Sequence, residues 1–154
     1  MAPAKPAKTS KRYFSVDEAN RALPLVRRIM SDILECWEVV NELEQRMSVV
    51  TRRAPKQRSG DLYDEEVAQS EAELETKRAL LQEYIAELRD LGVELKGFDG
   101  ICDFPSLLNG REVFLCWRVG EPSVAYWHEL HTGFSGRKPI QMQATSRSRE
   151  GRGE

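Results

Sequence analysis

The sequence predicts an α+β protein: a long antiparallel helical hairpin, coiled-coil-like in its spacing, followed by a small antiparallel β meander. Three observations carry that prediction. Apolar residues step by threes and fours from Leu23 to Met47 and by sevens from Val67 to Leu88, the period of helices that share one seam. The stretch between them, about Thr51 to Asp61, is short enough to send the chain straight back. After Gly92 the period changes to two, and Asn109-Gly110 places a tight turn between two such runs.

The first helix should begin at about Val16. Ser15-Val-Asp-Glu18 is a capping box, in which the Ser15 hydroxyl accepts from the Glu18 N–H while the Glu18 carboxylate reaches back to the Ser15 N–H. Pro24 has no N–H and crowds the carbonyl four residues earlier, which predicts a kink or a short helix ending near Ala22. Beyond it, Leu23, Val26, Met30, Ile33, Trp37, Val40 and Met47 form the seam, and Ile29, Leu34 and Cys36 widen it past what one partner helix covers. The second helix is written by Val67, Leu74, Leu81 and Leu88, with Tyr84, Ile85 and Leu91 on the same side and Gly92 as the stop. Residues 61–90 hold ten acids against three cations, so the outer face of this helix is acidic. At about 1.5 Å per residue each arm extends roughly 40 Å, and the surplus apolar stripe calls for a further surface.

Four extended segments follow: Val93 to Leu95, Ile101 to Phe104, Glu112 to Val119 and Val124 to Leu130, with Gly120-Glu-Pro-Ser123 turning the third into the fourth. Alternation puts Val113, Leu115, Trp117 and Val119 on one face and Phe114, Cys116 and Arg118 on the other. Tyr126, His128 and Leu130 likewise oppose Trp127, Glu129 and His131. Both faces are apolar enough to need cover. One fits the base of the hairpin, the other predicts a second subunit, and Trp37, Trp117 and Trp127 are the expected interface and packing anchors. The chain thus divides into a disordered basic tail (1–12), the hairpin (13–92), a β unit packed on it (93–140) and a second disordered tail (141–154).

Composition narrows the function classes. At 154 residues, 40% hydrophobic and 31% charged, the chain makes one soluble domain, and no run of 18 apolar residues spans a membrane. The N-terminus has cations but no apolar h-region, so it is not a secretory signal, and three cysteines at unrelated spacings fit a reducing, cytoplasmic setting. The formal charge is −2, and removing the tails' +4 and +1 leaves −7 on residues 13–140. An acidic body repels phosphate backbones. Arg52, Arg53, Lys56 and Arg58 form the one basic cluster, without an aromatic side chain to stack on a base, so nucleic acid is not an expected partner.

Few residues are spaced for chemistry. Trp127 to His131 reads WHELH, but zinc proteases need histidines four apart on a helix, and these two are three apart in a strand. A looser metal site could gather His128 or His131 with Asp103, Glu121, Cys102 or Cys116, though two histidines offer little ligand capacity. The cysteines read as small hydrophobes. No phosphate loop, dinucleotide fingerprint or Gly-x-Ser-x-Gly elbow occurs, so no cofactor is expected. A polar set remains within the apolar sheet: Asp103, Arg111, Arg118, Glu121, His128, Glu129 and Arg137. These are expected to pair at turns and subunit contacts; as a pocket, two arginines and a histidine would suit a small anion.

The opening YFSVDEANRALP, the block DFPSLLNGREVFLCWRVGEP and the following WHE and GFSGR resemble a bacterial family known as a domain of unknown function, number two-two-zero-three. The resemblance covers about residues 13–140 and implies a bacterial protein, with no activity, substrate or catalytic residue attached. In that pattern the position of His131 is commonly acidic, which implies no metal role for it. The sequence thus points to a non-enzymatic interaction or structural module, acting as a homodimer with an unidentified protein partner. The alternative is a small-molecule-binding or metal-dependent enzyme using His128 with Asp103 or Glu121.

Overall fold

The computed structural model describes residues 11–53 and 61–141. Lys56 and Arg58, the side chains of Arg52 and Arg53, and, of the tails expected at 1–12 and 141–154, residues 1–10 and 142–154 lie outside the described residues. Helix α1 runs Val16–Arg53 and α2 Asp61–Asp90. A five-stranded antiparallel meander follows, β1 (Glu94–Leu95), β2 (Ile101–Leu108), β3 (Arg111–Arg118), β4 (Tyr126–Glu129) and β5 (Lys138–Pro139), with the strands adjacent in chain order.

The capping box forms as expected, Glu18 N donating to Ser15 Oγ at 3.0 Å and Ser15 N to Glu18 Oε1 at 2.9 Å. The break expected near Ala22 does not occur. Pro24 lies on the exposed side of α1, where the carbonyl it leaves unbonded can turn to water, so one lost hydrogen bond does not stop the helix. Helix α2 stops at Gly92 (φ 94°), whose N–H reaches Arg89 O at 2.9 Å while Val93 N–H reaches Leu88 O at 3.2 Å, the two bonds of a Schellman cap. A Cβ at Gly92 would also lie 3.2 Å from Arg12 Cβ. Lys11 and Arg12, which composition places in the tail, are instead engaged: Arg12 lies 4.2 Å over the Phe14 ring, and Lys11 pairs with Glu112 at 2.5 Å.

Strand β2 runs four residues past its expected end, through Pro105. Its missing N–H lies on the side of its own carbonyl, away from β3, and that carbonyl accepts from Phe14 N at 2.7 Å. Ser106 Oγ donates to Phe14 O at 2.6 Å, so the segment before α1 is laid along this sheet edge by both of its backbone groups. Phe14 then meets Phe104 edge-on at 5.2 Å. The Asn109-Gly110 turn has φ of 54° and 78° at its two central residues, as a two-residue hairpin requires. Strand β5 has no signature in the sequence, because two residues, one a proline, carry no alternation; it pairs Tyr126 with Pro139 and Trp127 with Lys138.

One core joins the layers. Leu23, Val26, Met30, Ile33 and Val40 of α1 meet Leu74, Leu81 and Leu88 of α2, and the same cluster takes in Cys102, Phe104, Leu115 and Trp117 from the inner sheet face. Trp117 is fully buried and donates Nε1–H to Glu121 O at 3.0 Å; Trp37 stacks on Phe98 at 5.3 Å, and Trp127 is half-buried. The loop before β4 is clamped to α1 by Asn20, whose amide donates to Val124 O at 3.3 Å and accepts from Val124 N at 2.8 Å. Asn20→Ala would strand both backbone groups. It is expected to lower stability by about 1–3 kcal/mol in urea unfolding, with the slope unchanged.

Candidate functional site

Register decides which side chains meet on the outer sheet face. Asp103 pairs with Cys116, Cys116 with Tyr126 and Phe114 with His128, so Asp103, Cys116 and His128 project from three adjacent strands on the side away from the helices. They converge. Their ligand atoms lie within 4.8 Å of one another, and Asp103 and His128 are 1% and 2% exposed.

The covering layer comes from the chain itself. After β4 the backbone turns at Gly133 (φ 68°) into a single 3-10 turn, Phe134–Gly136, and a Cβ at Gly136 would lie 2.5 Å from Thr132 Cβ. That turn lays Arg137 between the rings of Tyr126 (4.1 Å) and Phe134 (4.2 Å). The guanidinium forms a two-pronged pair with Glu121, Nη1 to Oε1 at 3.2 Å and Nη2 to Oε2, and Nη1 also donates to Cys116 Sγ at 3.8 Å. The second subunit that the outer face was expected to require is therefore not what covers it. Lys96, with its ammonium 5.3 Å over Phe114, joins Asp99, Ile101, Phe134 and the Asp103–His128 pair around a cavity of about 280 Å³.

The proton arrangement of the pair follows from its partners. His128 Nδ1 lies 2.7 Å from Glu129 O, and a carbonyl can only accept, so Nδ1 carries a hydrogen. His128 Nε2 faces Asp103 Oδ2 at 3.0 Å, and one proton must lie between those two atoms. Burial pushes the Asp103 carboxyl up, only partly offset by the His128 charge and the Cys116 thiol. Asp103 Oδ1 has no hydrogen-bond partner of conventional geometry. Burial also raises the thiol of Cys116 to about 12, and those of Cys36 and Cys102 rise for the same reason.

This is not a nucleophile–base–acid triad. In that arrangement one imidazole nitrogen faces the acid and the other the nucleophile, whereas here the second nitrogen is tied to the backbone and the thiol is held protonated.

The polar set read from the sequence separates into parts. Asp103 and His128 form the centre, Glu121 and Arg137 an adjacent clamp, and Arg118 places its guanidinium 5.7 Å from the Phe134 ring. Arg111 pairs with Glu129 at the margin, and His131 is exposed, outside the centre. Cys116, a strand hydrophobe by sequence, belongs to the centre, and Tyr126, Phe134 and Lys96 join its surroundings although no motif marks them. Strand parity alone puts Tyr126 on the face of His128, while the β3–β4 register adds Cys116 to it. Placing Phe134 and Lys96 requires loop geometry that no spacing encodes.

A helical hairpin backing a five-stranded meander, with an acid, an imidazole and a thiol buried together on the far face, defines an α+β domain built around a closed polar centre. The chain belongs to the uncharacterised conserved protein family DUF2203, whose family model matches residues 12–140. No curated protein matches the chain, nor does any solved structure. No helix among the described residues is long and apolar enough to cross a membrane.

Desolvation pushes Glu121 up, but the Arg137 pair and the Arg118 N–H overcome it and hold its carboxyl below the ordinary 4.5. A depressed carboxyl stabilises the fold above its unfolded value and loses that contribution as pH falls through the folded one. Chemical denaturation of wild type should therefore show stability weakening as pH drops below about 4.5. Glu121→Gln should be less stable at neutral pH and lose less over that acid window; equal slopes for the two proteins would refute the assignment.

Proposed function

We propose that this chain is a non-enzymatic interaction module of the bacterial cytoplasm, acting as a homodimer that presents a surface to a protein partner. The observation that carries the reading is an apolar groove of about 410 Å³ where the sheet meets the start of α1, lined by Leu107, Leu108, Val113, Leu115, Trp127 and Ile140. Its polar lining, Ser15, Ser106, Asn109 and Gln141, is uncharged in a chain that is 31% charged. Two acidic bodies can meet across such a surface with no like-charge penalty at the contact. Leu107, 51% exposed at the groove, supplies a projecting side chain beside a recess, so one patch offers both halves of a two-fold contact. The cytoplasmic setting agrees with three buried cysteines that are all free.

The non-enzymatic part draws on the chemistry of the centre. An imidazole with Nδ1 tied to the backbone and Nε2 facing Asp103 has neither nitrogen free to activate a nucleophile. The alternative, a small-molecule-binding or metal-dependent enzyme, is favoured by the 3.0 Å pairing of His128 with Asp103. Its branch through Glu121 loses support, because Arg137 engages both oxygens of that carboxylate.

Light scattering at micromolar concentration should return twice the chain mass for wild type and the chain mass for Leu107→Glu, with unchanged circular dichroism. A monomeric wild type would remove the homodimer reading.

A further inference from the structure

We propose that Asp103, Cys116 and His128 bind one divalent transition-metal ion, zinc by its donor chemistry, at the floor of the outer-face cavity. This goes beyond the interaction reading and does not depend on the groove or on dimerisation.

Four observations point to an ion rather than to a structural polar cluster. One oxygen, one sulfur and one nitrogen, the donor types that zinc takes from protein, come from three adjacent strands and already lie within 4.8 Å of one another. Tetrahedral zinc bonded at 2.0–2.3 Å sets its donors roughly 3.3–3.8 Å apart, so shifts of about an ångström or less convert the observed cluster into a coordination shell. The imidazole is already oriented for ligation, because the Nδ1–H bond to Glu129 O leaves Nε2 turned into the cluster, as backbone carbonyls commonly hold a ligating histidine. Asp103 Oδ1 is a fully buried acceptor with no hydrogen-bond partner of conventional geometry, the Cys116 thiol lying beside the carboxyl, so the carboxylate can take a further partner.

Charge and proton balance agree. Binding expels the proton shared by Nε2 and Oδ2 and the proton of the Cys116 thiol, and both pass to water. The ion's two positive charges are then matched by one carboxylate and one thiolate, leaving the buried site neutral. Arg137 does not upset that balance, since Glu121 already neutralises it, and its Nη1 is placed to donate to the thiolate. Three protein donors leave a tetrahedral ion one position short. Asp103 and His128 both line the cavity, so the remaining position is open to a small ligand entering there.

The test is cobalt titration of the chelator-stripped full chain, since cobalt(II) reports sulfur ligation directly. One equivalent should give visible d–d bands and a near-ultraviolet sulfur-to-cobalt charge-transfer band, both abolished when zinc is added. Cys116→Ser should lose the charge-transfer band, and His128→Asn should weaken binding at least about ten-fold. The double variant Cys36→Ser, Cys102→Ser leaves Cys116 as the sole thiol and should keep the band, which assigns the sulfur even if the Cys116 variant fails to fold. No charge-transfer band in wild type, a band that survives in folded Cys116→Ser, or its loss from the folded double variant would overturn the proposal.

Discussion

The packing of one guanidinium over Cys116 carries the cover on the outer face of this small sheet. Arg137 lies between Tyr126 and Phe134, meets both oxygens of Glu121, and donates to Cys116 beneath it. An arginine can do this because its planar fork satisfies a carboxylate at the edge while its faces remain free for aromatic rings. With that plate in place, Phe114, Cys116 and His128 are buried without a helix or another subunit above them. Glu121 carries the closure into the turn: its carboxylate accepts from Arg118 N–H and its carbonyl from Trp117 Nε1. Arg27 on α1 donates to Pro122 O at 2.9 Å, so the turn that positions Glu121 is itself held against the first helix.

The inner face works by another principle. It is apolar, and it is covered by the proximal part of the hairpin, where α1 supplies a stripe wide enough for both α2 and the sheet. Trp117 belongs to this inner core while its neighbours Cys116 and Arg118 belong to the outer layer, so β3 serves both faces. A one-residue slip of β3 would exchange those sets, burying Arg118 against the helices and exposing Trp117. Two devices oppose such a slip: the positive-φ turn at Asn109-Gly110 at one end of the strand, and the Trp117 and Arg118 bonds to Glu121 at the other.

What could be read from the chain and what could not follow from the range of the forces involved. The capping box, the Gly92 stop and the Asn-Gly turn are local, and each appears where the residues place it. Pro24 does not end the helix near Ala22, because an exposed helical position leaves the freed carbonyl to water, which is a tertiary property. The strand extension through Pro105 and the pairing of β5 depend on Phe14 and Ala125, partners remote in sequence or hidden in a loop. At the centre, parity sorts each strand into two faces, but which faces coincide, and so the meeting of Asp103, Cys116 and His128, is a matter of register. The fold of 130–137 over that face is written in Gly133, by its φ of 68°, and in Gly136, whose meaning appears only beside Thr132.

The buried centre also bears on the kind of protein this is. A cluster kept only for stability would be better served by apolar side chains of the same volume, since a carboxylate and an imidazole withdrawn from water recover their desolvation cost only with full pairing. Here one Asp103 oxygen has no hydrogen-bond partner of conventional geometry, with the Cys116 thiol beside the carboxyl. The surrounding residues are nonetheless well satisfied, with Arg137 engaged by two rings, a carboxylate and a sulfur. Loose packing would spread such deficits, whereas among the described residues this one is confined to a single atom of a carboxyl beside a thiol and an imidazole, at the edge of a cavity. A fold that lays its own chain over the outer face, yet leaves one buried acceptor without a conventional partner beside two other donor groups, agrees better with the proposed ion site than with a cluster kept for stability alone.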